Sequence, residues 1–231
     1  MDQQSVLPVH LGIILDGNRR WAKANNLPTF EGHRIGYQNL KTITKYAFDK
    51  GVSYVSAFIF STENWSRTKE EVKYLMSLIL NILTKEVDEL NRLGIKVVWL
   101  GNTDRLNDKI IKAIYSAEEK TKDNTSGTLC LCFNYGGHQE IVDAVKKITS
   151  KGIPVNQINK EVIEQSLYAP DVPAVDMIIR TSGETRTSGF MLYRSAYSEL
   201  YFTDKHWPEF KESDVDIALN DYALRHRRFG K

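Results

Sequence analysis

An α/β fold with a largely parallel central sheet, flanked by helices in a single domain over residues 1–231, is what this sequence predicts. Three observations carry the prediction. Short apolar runs alternate with longer segments of helical periodicity, each bounded by turn residues. Several runs are almost wholly apolar rather than alternating, as parallel strands buried on both faces are. Hydrophobic residues at 42% and charged residues at 26% match a chain with one ordinary core, and exclude wholesale disorder.

Each element follows in order. Residues 9–15 are a run rich in Ile and Leu, closed by the turn Asp16-Gly17-Asn18. Residues 32–49 carry Ile35, Leu40, Ile43 and Phe48 at helical spacing. Residues 52–60 read as a strand and 61–68 as a polar loop. A long helix is expected over 69–93, with Val72, Leu75, Met76, Ile79, Ile82, Leu83, Val87 and Leu90 apolar. Strand 95–100, helix 105–120 and strand 128–133 come next. Helices over 141–148 and 158–167 precede a last strand at 175–179.

Composition removes several classes of function. A formal net charge of +2 argues against a general nucleic-acid binder, although local basic patches remain possible. No apolar run approaches the ~20 residues of a membrane span. Residues 1–8 are short and polar, unlike a signal peptide, so a cytoplasmic protein is expected. Cys130 and Cys132 lack a second ligand pair, which disfavours structural zinc and suits two buried, reduced thiols.

Ligands of parallel sheets gather beyond the carboxyl ends of the strands. That rule selects loops 16–20, 61–67, 134–138 and 181–189, three of which combine arginine with Gly, Ser or Asn. In the first, Gly17 permits a tight turn whose N–H groups can face an anion, and Arg19 and Arg20 add donors. Asp16 beside them makes sense if Mg²⁺ lies between carboxylate and anion; the alternative is an ordinary Asp-Gly turn with solvated arginines. In the last, Arg180 and Arg186 enclose hydroxyls and glycines, suiting a second phosphate-type anion. Glu199, in an aromatic stretch, reads either as a half-buried ion-pair partner or as a metal or water-bridging group. Neither G-x-x-x-x-G-K-[ST] nor G-x-G-x-x-G occurs. His10, His206 and His226 have no partnered nucleophile or metal cluster in the sequence and read as structural or surface residues.

Residues 10–23 (HLGIILDGNRRWAK), 60–67 (FSTENWSR), 134–137 (NYGG) and 176–184 (DMIIRTSGE), with the terminal Arg227-Arg228-Phe229-Gly230, are similar to the cis-prenyltransferase family, nearest its bacterial undecaprenyl diphosphate synthases. The resemblance spans nearly the whole chain. It implies Mg²⁺-dependent condensation of isopentenyl diphosphate onto an allylic diphosphate, typically farnesyl diphosphate, giving undecaprenyl diphosphate, the lipid carrier precursor for cell-wall synthesis. By that resemblance Asp16 handles Mg²⁺ and assists diphosphate departure, and Glu199 shares the metal. Gly17, Asn18, Arg19 and Arg20 cradle the allylic diphosphate, with Trp21, His33 and Arg67 nearby. Ser61, Thr62, Glu63 and Trp65 belong to the substrate loop, in which Asn64 assists proton removal. A side-chain amide is a poor base, so Asn64 reads as orienting an acceptor such as a diphosphate oxygen. Arg180, Arg186, Thr187 and Ser188 hold isopentenyl diphosphate. A homodimer is implied, with the tail 228–230 reaching a neighbouring active site; the alternative is a disordered basic end. A lipid product implies peripheral release at the inner membrane surface, without a dedicated anchor helix.

A growing chain needs an apolar tunnel, for which helix 69–93 with Ile59, Phe60, Leu129 and Leu131 is the candidate wall; periodicity alone reads the same residues as core. Departures from the family pattern are Thr29 for Arg, Ile59 for Ala, His138 for Arg, Gly189 for Asn, Tyr193 for Trp and Arg194 for Gln. Ile59 would fill a channel and shorten the product. Two rivals follow: a cis-prenyltransferase of shorter or different product, and a non-catalytic subunit. The retained Asp16, Asn64, Arg180, Arg186 and Glu199 speak against the second.

Overall fold

Apolar runs become strands where both of their faces can be covered. In the computed structural model, which describes residues 7–225, they form β1 (His10–Ile14), β2 (Tyr54–Ser61), β3 (Ile95–Leu100), β4 (Gly127–Tyr135) and β5 (Met177–Arg180). A further strand, β6 (Glu199–Phe202), lies at one edge. All neighbouring pairs are parallel, in the order β3-β4-β2-β1-β5-β6. The sheet and its flanking helices make a single domain, as the sequence predicts.

The helices are α1 (Asn18–Ala24), α2 (Thr29–Asp49), α3 (Lys69–Asn81), α4 (Val87–Arg92), α5 (Asp108–Thr121), α6 (Gly137–Ser150), α7 (Lys160–Glu164) and α8 (Glu212–Leu224). Alternation along the strands divides the core in two. Leu11, Ile13, Ala57, Leu129 and Leu131 join Leu40, Ile43, Ile79, Ile114 and Leu219 in one cluster. Ile14, Cys130, Cys132, Ile178, Phe190 and Met191 form the other. Both thiols are buried and free, and burial pushes the Cys130 thiol up to about 12, so it packs as a small hydrophobe.

Several expected boundaries move. The long helix over 69–93 is broken by a π turn, Ile82–Glu86, between α3 and α4. Loop 16–20 is the start of α1, entered through Gly17 at φ +103°. The helix expected over 158–167 contracts to α7 after a 3₁₀ turn at Val155–Gln157. α2 starts at Thr29 behind Pro28, three residues earlier than periodicity suggests. Among the described residues, no helix is long and apolar enough to cross a membrane.

The strand order positions the site. β4, β2, β1 and β5 are consecutive neighbours, so the four loops, three of them bearing arginine, leave the same edge of the sheet side by side.

Candidate active site

Asp16 stands just beyond β1, with its backbone fixed before its side chain. Its carbonyl accepts from Thr181 Oγ1 at 2.7 Å and from the Trp207 N–H at 3.0 Å. A Cβ on Gly17 would come within 2.5 Å of Ser182 Oγ and 2.9 Å of His206 Nδ1, so the turn admits glycine alone. Asp16 Oδ2 accepts from Arg180 at 2.8 Å, and Oδ1 from the Gly17 N–H at 2.7 Å with Arg20 at 3.2 Å. Burial opposes the charge, but the Arg180 bond and charge, then Arg20 and the Gly17 N–H, hold the carboxyl below its ordinary range.

Arg180 is itself buried at the end of β5. One of its terminal nitrogens donates to the Arg186 carbonyl at 2.5 Å and to Ser188 Oγ at 2.8 Å. Its Nε–H is buried without a partner beside the cavity described below, a donor awaiting an acceptor. Ser182, Gly183, Ser188 and Gly189 all have positive φ, which folds the loop back over this guanidinium.

A second cluster surrounds Glu71, in the first turn of α3. Its carboxylate accepts from Arg67 at 3.0 Å and His33 Nε2 at 3.2 Å, with Arg19 at 3.6 Å. Burial, and then the charges of Arg67 and Arg19, keep the His33 pKa below its ordinary value despite Glu71. Asn64 lies in a 3₁₀ turn, Thr62–Ser66, where its Oδ1 accepts the Ser61 N–H at 3.1 Å. That bond engages one of the oxygen's two acceptor sites and fixes the amide's orientation.

These groups meet at a cavity of about 230 Å³ with a polar end formed by Asp16, Asn18, His33, Ser61, Asn64, Arg67, Arg180 and Ser188. Leu40, Ile59, Leu75, Leu78, Ile79 and Ile82 line its apolar end. An open cleft of about 660 Å³ adjoins it, sharing Asp16, Asn18, His33 and Arg67 and adding Gly17, Arg19, Arg20, Lys23 and Thr29. Behind Ile59 lies a third space of about 180 Å³, walled by Tyr37, Leu40, Ile82, Leu129 and Leu131. Lys41 clasps Glu86 at 2.6 Å and Glu89 at 2.5 Å along its rim.

Other expected site residues fall elsewhere. Trp21 donates its indole N–H to Glu209 at 3.1 Å, and Thr62 packs on Gly136. The Glu63 carbonyl accepts from Ser66, and the Thr187 carbonyl from the Phe190 N–H. Trp65 turns its indole to Asn134, and the exposed Arg186 side chain pairs with Glu184 at 2.6 Å. None of these six lines the cavity or the cleft. Glu199 does not join Asp16 within this chain. The register pairs Met177 with Glu199 and Arg180 with Phe202, which puts Glu199 at the other end of β6, about 10 Å along the strand from the Arg180 level. There it pairs with Arg225 at 2.8 Å. Of the departures, Arg194 is a buried structural residue, bonded to Glu140 at 2.5 Å.

His10 is buried between the Pro173 carbonyl and Ser56, whereas His206 bonds Ser182 Oγ at 2.6 Å beneath the Gly17 turn. His226 and the tail 227–230 lie outside the described residues. Glu71, Ser182 and Asn134 carry no assigned role in the sequence, and His206, read as structural or surface, proves to brace the turn before α1 through Ser182. An Arg67-to-Glu71 spacing of four at a helix start was the available signal for Glu71. Among the described residues, no three His, Cys, Asp or Glu side chains converge as a metal cage. A single carboxylate among anion-binding groups still fits Mg²⁺, which keeps waters and substrate phosphates in its shell.

A carboxylate paired with two arginines, at the mouth of an apolar cavity in a parallel α/β sheet, defines a protein with an anion-suited rim opening on an apolar space. The profile of the prenyltransferase family, described as undecaprenyl diphosphate synthase, matches residues 14–230, and the chain belongs to that family of cis-prenyltransferases. It is 46% identical to an isoprenyl transferase of Thermotoga maritima over 97% of both chains. It is 43% identical to a (2E,6E)-farnesyl-diphosphate-specific ditrans,polycis-undecaprenyl-diphosphate synthase of Legionella pneumophila, over 97% of this chain and 96% of the relative. Among solved structures, lavandulyl diphosphate synthase from Lavandula x intermedia in complex with dimethylallyl diphosphate superposes with TM-score 0.93 at 35% identity, covering 97% and 99% of the two chains. A probable undecaprenyl diphosphate synthase from Campylobacter jejuni gives 0.82 at 28% identity with the same coverage. The chain is an enzyme of cis-prenyl chain elongation.

Proposed function

We propose that the chain, as one catalytic unit, condenses isopentenyl diphosphate onto farnesyl diphosphate in a Mg²⁺-dependent reaction, ending in undecaprenyl diphosphate. The observation that carries this reading is Asp16 held by Arg180 where the cleft and the apolar cavity meet. The allylic diphosphate occupies the cleft, against Arg19, Arg20, Arg67 and the amides of Gly17 and Asn18. Its hydrocarbon enters the cavity toward Leu75 and Ile79. Isopentenyl diphosphate binds Arg180 and Ser188 at the cavity, and Arg186 leaves Glu184 to join them. Cleavage of the allylic C–O bond leaves anionic diphosphate, so pre-placed arginines lower the barrier. Asp16 would hold Mg²⁺, which would supply further charge neutralisation to the diphosphate. The Asn64 NH₂ orients the oxygen that receives the proton, since the amide is a poor base and its NH₂ is the donor end, with Oδ1 turned to the Ser61 N–H.

Ile59 motivates a second reading, a shorter product, because it stands in the wall common to the cavity and the space behind it. A homodimer completes the proposal: Tyr197 and Leu200 are exposed beside Glu199 around the edge strand β6. Chromatography of labelled products from isopentenyl and farnesyl diphosphates with Mg²⁺ tests the whole reading. An eleven-unit product is expected; a dominant product far shorter favours the Ile59 reading, and no incorporation contradicts elongation. Asp16→Ala should cost about 10³-fold or more in kcat while the far-UV spectrum is unchanged; full activity would contradict the role given to Asp16.

A further inference from the structure

We infer that Asn134 is a positioning residue for the reaction, acting on Asn64 through the indole of Trp65. This rests on the elongation reading above and adds to it a part of the machinery with no contact to substrate. Asn134 is buried at the end of β4 in a left-handed conformation, φ +50°, unusual for a residue with a side chain. Its side chain is fully engaged. The NH₂ donates to the Asn102 carbonyl at 2.8 Å, to Asn102 Oδ1 at 3.0 Å and to the Asp104 carbonyl at 2.7 Å. Its Oδ1 accepts the Trp65 indole N–H at 2.7 Å.

One side chain thereby ties the loop after β3 to the 3₁₀ turn that carries Asn64. Trp65 is the residue next to Asn64, and its ring is held on two further sides. Phe60 meets it edge-on at 5.2 Å between centroids, and the Arg105 guanidinium lies 4.6 Å from its centre. Arg105 also has positive φ, +65°. Two residues of positive φ, Asn134 and the cationic Arg105, thus flank one indole that lines neither the cavity nor the cleft. The turn has its own bond, donated by the Ser61 N–H to Asn64 Oδ1, which sets the amide's rotation. The Trp65 clamp sets where that turn stands relative to Arg180 and Ser188 across the cavity.

Asn134→Gly separates the side chain from the backbone, because glycine adopts φ +50° without strain. Trp65→Phe keeps the ring and removes the N–H. Each variant should lower kcat about 10²-fold, as a misplacement near 1 Å does, with KM for both substrates within about threefold. The double variant should lose little more than either single one, because both break one linkage. In ¹⁵N spectra, Asn134→Gly should move the Trp65 indole and Asn64 amide resonances and leave those of Trp21 and Trp207 in place. Wild-type kcat in Asn134→Gly, additive losses in the double variant, or unmoved Asn64 and Trp65 resonances would each overturn the proposal. An inactive wild-type protein counts against elongation alone, since the resonances report the clamp without turnover.

Discussion

At the scale of single residues, the charged side chains of the site were open to reading and their supports were not. Asp16 and Arg180 announce themselves by type and by place at strand ends, whereas Ser188 enters only through the family resemblance. Glu71 does not, since a glutamate in the first turn of a helix is commonplace and only the fold brings His33 and Arg19 to it. His10 was rightly set aside as structural, and its surroundings give a test. Nδ1 must carry the proton donated to the Pro173 carbonyl, so Nε2 of the neutral ring accepts from Ser56. Burial lowers its pKa from 6.5 to about 4. Above pH 6.5 the ring is neutral folded or unfolded; between 6.5 and 4 the unfolded chain binds the extra proton. Stability should therefore fall as the pH is lowered from 6.5 to 4, by about 3 kcal/mol from this group. Urea titrations at pH 7 and pH 4.5 check it: His10→Asn should show a shallower pH dependence than the wild type. Parallel curves for the two proteins would refute the assignment.

At the scale of elements, strong periodicity was legible and weak or interrupted periodicity was not. α1 has seven residues with only Ala22 buried, too little pattern to separate it from a loop. β6 is a half-exposed edge strand and escaped notice, as did α8 behind Pro208. The π turn between α3 and α4 leaves apolar spacing nearly intact while it changes the hydrogen bonding, so composition cannot reveal it. The packing of α1 on α2 depends on two glycines whose role only the structure exposes. A Cβ on Gly32 would lie 2.1 Å from the Asn18 carbonyl oxygen, and one on Gly36 2.1 Å from Asn18 Oδ1. In an open helix Gly→Ala gains about 0.5–1 kcal/mol. Here backbone obstructs the new methyl, and Gly32→Ala should instead cost about 1–3 kcal/mol by overpacking. Because Asn18 borders the cleft, KM for the allylic diphosphate should rise with it. Thermal melts and initial-rate kinetics measure both; a stabilised variant with unchanged KM would show that α1 yields freely.

At the scale of the whole molecule, the sequence names four loops but not their order in space. Adjacency of β4, β2, β1 and β5 brings the separate loops, three of them with arginine, into one polar rim, and the same parallel register carries Glu199 away from it. Apolar wall and core were inseparable by pattern because one set of side chains serves as both. Leu40 and Ile82 are buried core residues that also line the cavity and the space behind it. Ile59 separates the two spaces from the sheet side, and Lys41 with Glu86 and Glu89 borders the far one. The order of polar rim, cavity, partition and second space runs in the direction a chain would grow. If growth follows that line, the side chain at the partition sets how many units pass before the chain meets resistance. Ile59→Ala should then shift the product distribution toward longer chains under the same substrate ratio. It should also cost about 1–3 kcal/mol of stability, toward the low side for Ile→Ala because the residue is only half buried. Thin-layer separation of dephosphorylated products reads the first effect and a thermal melt the second. An unchanged or shorter distribution in a folded Ile59→Ala enzyme would mean that the chain does not travel past Ile59.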